Sequence, residues 1–294
     1  MTFHTDTFGS PSWPSGFCSP ELDLAKAVYL RPLAPFIEGG FDFPLYEVAV
    51  RLDGGDNYDA SDAIAHGKTL LAAGADILDI GGESTRPGAA VVGFEEEVRR
   101  VVPVIRGLKG LGAKISIDTR HADVMAEAVA AGADMINDVT ALEGDGALEV
   151  AVQSGVPVML MHMQGEPQTM QDNPVYEDCA LDVFDYLQDR IRVCEEAGLK
   201  RENICIDPGI GFGKTLDHNM EIMNRIGLYH GLGCPVLLGA SRKSFIAKIC
   251  GDIPAKDRLP GSLAAVLKGA DVGVQIVRVH DVAETKQALD VWCY

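Results

Sequence analysis

Residues 78–89 read Leu78-Asp-Ile-Gly-Gly-Glu-Ser-Thr-Arg-Pro-Gly-Ala89. A short apolar run, suited to a buried strand, stops at two glycines, and an acid, two hydroxyls and an arginine follow at once. α/β enzymes place binding and catalytic groups on loops at the carboxyl ends of parallel strands. A turn with only a structural role has no need of this set of side chains. The stretch therefore predicts a functional loop directly after a buried strand.

The same alternation of short apolar runs and longer amphipathic runs continues along the chain. Strands are predicted at 45–50, 76–80, 114–118, 134–138, 157–162, 203–207, 235–239 and 274–279. Helices are predicted at 60–73, 94–109, 121–131, 145–154, 175–197, 217–227, 243–250 with 261–270, and 282–292. Eight strand–helix units in about 250 residues are typical of an α/β protein of the (β/α)8 TIM-barrel class. An open doubly wound sheet is the alternative, but the Gly-x-Gly-x-x-Gly turn that would mark it is absent.

The first part of the chain has a different character. Residues 1–44 are rich in proline and show little periodicity. They predict an irregular N-terminal extension that caps the closed end of the barrel, with the barrel itself spanning residues 45–294.

Composition narrows the class of protein. Hydrophobic residues make up 47% of the 294 residues and charged residues 23%, which is typical of a soluble globular chain. No apolar run reaches the roughly 20 residues of a membrane span, and no signal peptide is visible. The seven cysteines are scattered, and Cys205 and Cys234 adjoin apolar runs. This pattern favours a reduced cytoplasmic protein with buried thiols over a disulfide framework or a zinc site.

The net charge of −18, from 43 acids and 25 bases, argues against nucleic-acid binding. An anionic substrate would be repelled by this overall charge, so its binding requires a local cluster of basic residues.

Polar residues recur at the ends of the predicted strands. Asp118, Asn137 and Asp207 are acceptor-rich and suit the donor edge of a flat, guanidine-like heterocycle. Cationic or donor groups for the carbonyl side of the ring and for phosphate oxygens come from Lys243, Arg278 and His280. These groups predict a pterin pocket with an anion site nearer its rim.

Several of these residues also have structural explanations. Asp118 could cap the next helix, and Asn137 could satisfy buried backbone groups. His162, between two methionines, is better explained as a packed core residue than as a ligand. The run Gly209-Ile-Gly-Phe-Gly-Lys214 lacks the spacing of a phosphate-binding P-loop. Arg278 is the hardest to explain by packing, because a buried, unpaired guanidinium is costly.

Seven motifs, in order, resemble those of the dihydropteroate synthase family over roughly residues 45–294. They are Asp79-Ile-Gly-Gly-Glu-Ser-Thr-Arg-Pro-Gly-Ala89, Ser116-Ile-Asp-Thr-Arg120, Ile136-Asn-Asp-Val139, Met161-His-Met-Gln-Gly165, Asp207-Pro-Gly-Ile-Gly-Phe-Gly-Lys214, Ser241-Arg-Lys-Ser-Phe245 and Arg278-Val-His-Asp281. The resemblance implies a (β/α)8 transferase of folate biosynthesis, usually a homodimer and a target class for sulfonamides. Such an enzyme uses Mg²⁺ and condenses 6-hydroxymethyl-7,8-dihydropterin diphosphate with 4-aminobenzoate, giving 7,8-dihydropteroate and pyrophosphate.

The resemblance also implies roles for individual residues on the pterin side of the site. The pterin ring would be held by Asp118, Asn137, Asp207 and Lys243, with Met161 as an apolar wall. Arg278 would cover the ring and, with His280, bind the diphosphate.

On the other side of the site, Thr85 and Arg86 would approach both the phosphates and the aminobenzoate. Pro87, Phe212 and Ser244 would shape the aminobenzoate site, and the aminobenzoate carboxylate would meet the N-terminus of the helix after strand seven. The catalytic groups would be Lys243, Arg278, His280 and Arg86, with no protein nucleophile.

One stretch departs from the family pattern. The family's first strand runs into Asn-Val-Thr-Pro-Asp-Ser-Phe-Ser-Asp-Gly-Gly, whose Asn contacts the metal, whereas this chain reads Tyr46-Glu-Val-Ala-Val-Arg-Leu-Asp-Gly-Gly55. The metal ligand is therefore unknown, and Asp53, Asp56 and Asn57 are candidates. Two alternatives stay open: a pterin-binding relative with impaired or no synthase activity, and a pterin-binding methyltransferase domain.

Overall fold

A sheet of short parallel strands lies at the centre of the protein. The computed structural model describes residues 47–53, 60–83, 92–166 and 169–294, with only the backbone for 47–53. The strands in these ranges are β1 (Glu47–Asp53), β2 (Ile77–Gly81), β3 (Lys114–Asp118), β4 (Met135–Asp138), β5 (Val158–Met161), β6 (Ile204–Asp207), β7 (Leu237–Leu238) and β8 (Ile276–Val279).

An α-helix follows every strand in these ranges, and β7 is followed by two. They are α1 (Ala60–Ala72), α2 (Phe94–Leu108), α3 (Ala122–Ala131), α4 (Ala147–Ser154), α5 (Cys179–Ala197), α6 (Leu216–Arg225), α7 (Ser244–Cys250), α8 (Leu259–Asp271) and α9 (Val282–Cys293). The predicted alternation of strands and helices is confirmed, with boundaries that differ by a few residues.

The two edges of the sheet meet, so the sheet forms a barrel. Its strand order is β6-β5-β4-β3-β2-β1-β8-β7, and every neighbouring pair is parallel. A parallel bridge joins Ile206 of β6 to Val236, just before β7, and the Ile206 amide donates to the Pro235 carbonyl at 2.9 Å. This contact favours the predicted (β/α)8 barrel over the open sheet.

Side chains alternate between the two faces of the barrel wall, as they must along a strand. Leu78, Ile115 and Ile136 belong to the large apolar core that the strands share with the helices. The barrel interior contains a separate apolar cluster: Ile77, Met135, Met159, Cys205, Leu237 and Ile276. Two residues further along their strands, these positions are followed by Asp79, Asn137, Met161, Asp207, Gly239 and Arg278. The interior therefore changes from apolar to mostly polar within one layer, towards the carboxyl ends of the strands.

Two boundaries differ from the predictions for local reasons. β1 continues to Asp53 instead of ending at residue 50, because Leu52 and Asp53 pair with Ile80 and Gly81 of β2. The helix predicted from residue 175 begins at Cys179, where the Asp178 side chain caps it by accepting from the Leu181 amide at 3.0 Å. The predicted extension over residues 1–44 lies outside the described residues, so its boundary stays a prediction.

The cysteine prediction is confirmed for the two residues that it singled out. Cys205 and Cys234 are buried thiols that are not joined in a disulfide, and burial raises the pKa of Cys234 to about 12. Among the helices that the structure describes, none is long and apolar enough to cross a membrane.

Candidate active site

The predicted pterin-binding residues lie at the carboxyl ends of their strands, around the mouth of the barrel. Asp118, the last residue of β3, pairs in register with Asn137 of β4. Met161 and Asp207 pair in the same way at the ends of β5 and β6. All four are buried.

Arg278 is the centre of this group, and it is paired with two carboxylates. Its Nε donates to Asp79 Oδ2 at 2.8 Å, and its Nη2 donates to Asp118 Oδ2 at 2.8 Å. Burial alone would lower the pKa of Arg278, but the adjacent charges of Asp79 and Asp118 raise it above its usual value. The pairing explains how a strand within the core tolerates a guanidinium.

Asp79 is the site residue that the sequence prediction missed. Its side chain is fully buried, and Oδ2 also accepts from Asn137 Nδ2 at 3.1 Å. A signal was present, since an acid two residues after Ile77 in an apolar strand must face the same side of the wall. Asp79 thus links β2, β4 and β8 beneath the pocket mouth.

Asp207 and Lys243 meet beside Gly239. A Cβ placed on Gly239 would lie 3.7 Å from Asp207 Oδ2, 3.8 Å from Lys243 Nζ and 3.9 Å from Arg278 Cβ. The Gly209 amide donates to Asp207 Oδ1 at 2.7 Å. Burial raises the pKa of Asp207, and the nearby Lys243 charge opposes that rise. The absent side chain of Gly239 leaves space where an anionic, a cationic and a guanidinium-bearing residue converge.

Lys243 and Phe212 lie on one side of this space. Lys243 Nζ donates to the Ile210 carbonyl and lies 4.6 Å from the centroid of the Phe212 ring, in a cation–π arrangement. Phe212 is half-buried, and Ser244 is exposed as the first residue of α7. The structure therefore brings Phe212 to Lys243, as expected if the two predicted binding sites adjoin.

The glycine-rich loop after β6 is braced by a buried lysine. Lys214 Nζ lies 2.9 Å from His162 Nδ1 and donates to the Phe212 carbonyl at 3.0 Å. His162 is buried and packs edge-on against Tyr186, with ring centroids 4.9 Å apart, which confirms the prediction of a packed histidine. Burial lowers the pKa of Lys214 to about 7. Lys214 therefore points into the protein, which agrees with the rejection of a P-loop.

Gly209 shows why this loop needs glycine. Its φ of 70° is in the left-handed region, and a Cβ there would lie 1.9 Å from the His162 carbonyl oxygen. The backbone of the β6–α6 loop thus packs directly on the end of β5.

His280 follows β8 at the rim and is exposed. Its Nδ1 lies 3.0 Å from Ser241 Oγ, which also accepts from the His280 amide at 3.2 Å. The neighbouring Arg242 is held instead by Asp281, with Nε at 3.0 Å from Oδ2. These contacts fix the β7 and β8 loops beside each other and leave His280 at the solvent edge of the site.

Thr85, Arg86 and Pro87 lie outside the described residues. The two ends of their loop are described, and Glu83 accepts from the Val92 amide at 3.2 Å and from Arg120 Nε at 3.1 Å. Roles for the three loop residues stay predictions.

Magnesium binding also stays a prediction. Within residues 60–83, 92–166 and 169–294, no group of three or more His, Cys, Asp or Glu side chains is placed to hold a metal ion. Asp53 ends β1 opposite Gly81, but its side chain and residues 54–59, with Asp56 and Asn57, lie outside the described part.

Comparison with known proteins assigns the family. A family model described as "Pterin binding enzyme" matches residues 50–280. The Escherichia coli K12 dihydropteroate synthase is 45% identical over 240 residues, or 81% of this chain and 85% of that protein. The Neisseria meningitidis serogroup B dihydropteroate synthase is 49% identical over 287 residues, or 95% of this chain and 96% of that protein.

Solved structures agree with this result. The Yersinia pestis dihydropteroate synthase in a sulfonamide drug complex superposes with a TM-score of 0.83 at 40% identity, covering 86% of this chain and 96% of that one. The Xanthomonas albilineans enzyme in complex with 7,8-dihydropteroate gives a TM-score of 0.77 at 41% identity, covering 85% and 94%. This chain belongs to the dihydropteroate synthase family of pterin-binding enzymes.

Proposed function

We propose that the barrel mouth condenses 6-hydroxymethyl-7,8-dihydropterin diphosphate with 4-aminobenzoate, giving 7,8-dihydropteroate and pyrophosphate. Membership of the family makes the chain a transferase of folate biosynthesis. The observation that carries the proposal for the site is the convergence of Asp207, Lys243 and Arg278 beside Gly239, with Arg278 joined to Asp118.

The pterin ring would lie in the space beside Gly239. Asp118, Asn137 and Asp207 would accept hydrogen bonds from the ring N–H and amino groups, because carboxylate and amide oxygens match that donor edge. Lys243 would donate to the carbonyl side of the ring. Met161, buried at the end of β5, would provide an apolar wall.

The reaction itself needs no protein nucleophile. The bond between the exocyclic methylene carbon and the diphosphate oxygen breaks, its electron pair leaves with pyrophosphate, and electrons of the pterin ring stabilise the carbon. The aminobenzoate nitrogen attacks this carbon and then loses a proton. Arg278 and His280, with Arg86 on its loop, would offset the charge that develops on the departing pyrophosphate.

Aminobenzoate would bind nearer the rim, beside Phe212. The half-buried Phe212 ring would pack against the aromatic ring of the substrate, and Ser244 with the start of α7 would meet its carboxylate. Thr85 and Pro87 would complete this site. The contact between Lys243 and Phe212 supports this proposal, because one residue proposed for each substrate lies at the contact.

We also propose that Mg²⁺ binds together with the diphosphate. Magnesium in phosphate-binding enzymes commonly takes one or two protein ligands and completes its shell with phosphate oxygens and water. Asp53, Asp56 or Asn57 would supply the protein ligand, and the ion would neutralise part of the phosphate charge. A chelator should therefore weaken binding of the pterin diphosphate more than binding of the pterin without phosphates.

A homodimer in the cytoplasm is the state that we propose for the active protein. Light scattering coupled to gel filtration measures the oligomeric state directly. A dimer should persist at micromolar concentration, and a monomer that retains full activity would contradict the proposal.

Sequential titration separates this function from its alternatives. The protein should bind pterin diphosphate first, then bind 4-aminobenzoate, and then release pyrophosphate. Pterin binding without pyrophosphate release would indicate the non-catalytic relative. Binding of a methylated folate without aminobenzoate binding would indicate the methyltransferase.

A further inference from the structure

Asp79 occupies an unusual place in the barrel. It lies in the middle of β2, one layer above the apolar interior cluster, and its side chain is only 1% exposed. A buried carboxylate requires compensation from nearby donors. Its donors come from two other strands, β4 and β8.

A single carboxylate oxygen receives these donors. Oδ2 accepts from Arg278 Nε at 2.8 Å, lies 2.7 Å from Arg278 Nη2, and accepts from Asn137 Nδ2 at 3.1 Å. Oδ1 is buried and has no hydrogen-bond partner among the described residues. The guanidinium therefore holds Asp79 in place, and Asp79 in turn holds the Asn137 amide.

The contact fixes which way the Asn137 amide is turned. An ionised carboxylate can only accept hydrogen bonds, so the group of Asn137 that faces Asp79 must be the NH₂. The carbonyl oxygen of Asn137 is then the atom left for a ligand. Without Asp79, the amide could rotate and present a donor to a ring edge that also consists of donors.

We propose that Asp79 is a positioning residue that sets the hydrogen-bonding polarity of the pterin pocket by orienting the Asn137 amide. This inference rests on the proposed function, and it names the ligand feature that the pocket selects: a heterocycle edge that carries N–H and amino donors. Asp79 itself does not touch the ligand.

The first experiment compares two variants at position 79 by titration with the dihydropterin diphosphate. D79A removes the acceptor and should raise the dissociation constant about tenfold or more, the size expected for loss of a charge-assisted bond. D79N keeps an oxygen acceptor in the same place and should restore the dissociation constant to within about threefold of the parent. Equal binding by D79A and the parent, or no rescue by D79N, would overturn the proposal.

A second comparison uses a pterin analogue without the exocyclic amino group. The parent should bind the analogue more weakly than the pterin, because the oriented oxygen of Asn137 loses a donor. D79A should reduce this discrimination between the two ligands. A loss of protein stability alone would instead weaken the binding of both ligands equally. Unchanged discrimination in D79A would count against the inference.

Ser116 offers a matched control. It pairs with Asp79 in register, it is equally buried, and its Oγ has no hydrogen-bond partner in the described part of the chain. S116A therefore alters the same layer without disturbing the Asn137 amide, and its pterin affinity should stay within about twofold of the parent. A loss of pterin affinity in S116A as large as that in D79A would contradict the inference, because any change in this layer would then impair the pocket.

A measurement on the parent protein covers the case in which D79A does not fold. In the ligand-free protein, the Asn137 side-chain amide proton that points to Asp79 should exchange with solvent slowly, because it is bonded to a buried carboxylate. Exchange at the rate of an exposed amide would overturn the proposal. Failure of the parent to bind pterin would contradict the proposed function instead, and this exchange rate would still report on Asn137.

Discussion

Arg278 and Asp118 come from strands at distant points of the sequence, and their side chains meet at 2.8 Å between Nη2 and Oδ2. Asp79 accepts from the same guanidinium, so one cation serves two buried acids. The site therefore depends on Arg278 both for its structure and for its proposed contact with phosphate.

Replacing Arg278 by leucine should abolish most activity. R278L leaves Asp79 and Asp118 without their cation, and breaking a buried pair in this way costs about 3–5 kcal/mol. We expect turnover to fall by about a hundredfold or more, since a charge that stabilises the leaving group is also lost. R278K keeps the charge but not the two-pronged geometry, and should lie between R278L and the parent. Activity of R278L within about twofold of the parent would be incompatible with the assigned role.

Replacing Asp207 by asparagine should weaken pterin binding. D207N keeps the shape and one acceptor oxygen but removes the charge beside Lys243 and substitutes a donor for the other oxygen. The dissociation constant for the dihydropterin should rise about tenfold to a hundredfold. Fluorescence titration measures this directly. An unchanged constant would mean that the ring does not meet Asp207.

The buried Lys214 predicts a pH dependence of stability. Burial lowers its pKa from the usual 10.5 to about 7, with Cys179, Asp207 and Lys243 as its charged or titratable neighbours. Above pH 7, the unfolded chain holds a proton at this position that the folded protein has lost, so this group makes the free energy of unfolding rise with pH. The pKa of His162 is lowered to about 2 by burial, so it does not titrate in this range.

Urea unfolding at pH 7, 8 and 9 tests this expectation. The pH range stops at 9 because two buried thiols would otherwise contribute. Burial raises the pKa of Cys179 and Cys234 to about 12, so above pH 9.0 these groups lower the stability as pH rises. K214M should remove the contribution of Lys214, so its stability should rise less with pH than that of the parent. Parallel pH profiles of the two proteins would show that Lys214 does not titrate near pH 7.

Replacing Gly209 by alanine should damage the loop after β6. The φ of 70° is unfavourable for alanine, at about 1–2 kcal/mol, and the clash with the His162 carbonyl adds about 1–3 kcal/mol. Gly155 is the matched control, because its φ is 67° but a Cβ there would meet nothing within 4 Å. G155A should lower the free energy of unfolding only by the conformational cost, without the clash, as measured by denaturant unfolding. Equal losses in G209A and G155A would show that the loop moves away without cost.

The chain order of polar residues was enough to predict most of the candidate site. Asp118, Asn137 and Asp207 could be placed together because strand ends in a barrel share one edge, whichever strands they come from. The packed His162 was predictable for a different reason, because its sequence neighbours Met161 and Met163 are apolar.

The partners of these residues could not be predicted. Asp79 and Arg278 are 199 residues apart, and only the register of β1 with β2 and β8 brings them together. The inward direction of Lys214 depends on the left-handed Gly209 and on the carbonyl of Phe212. Such contacts follow from backbone geometry and not from residue type alone.

A crystal structure with a bound dihydropterin tests the central claim most directly. We predict the ring beside Gly239, with its donor edge about 2.7–3.2 Å from oxygen atoms of Asn137 and Asp207 and with Lys243 at its carbonyl side. A pterin ring bound elsewhere, or bound here with its carbonyl facing Asn137 and Asp207, would contradict the account.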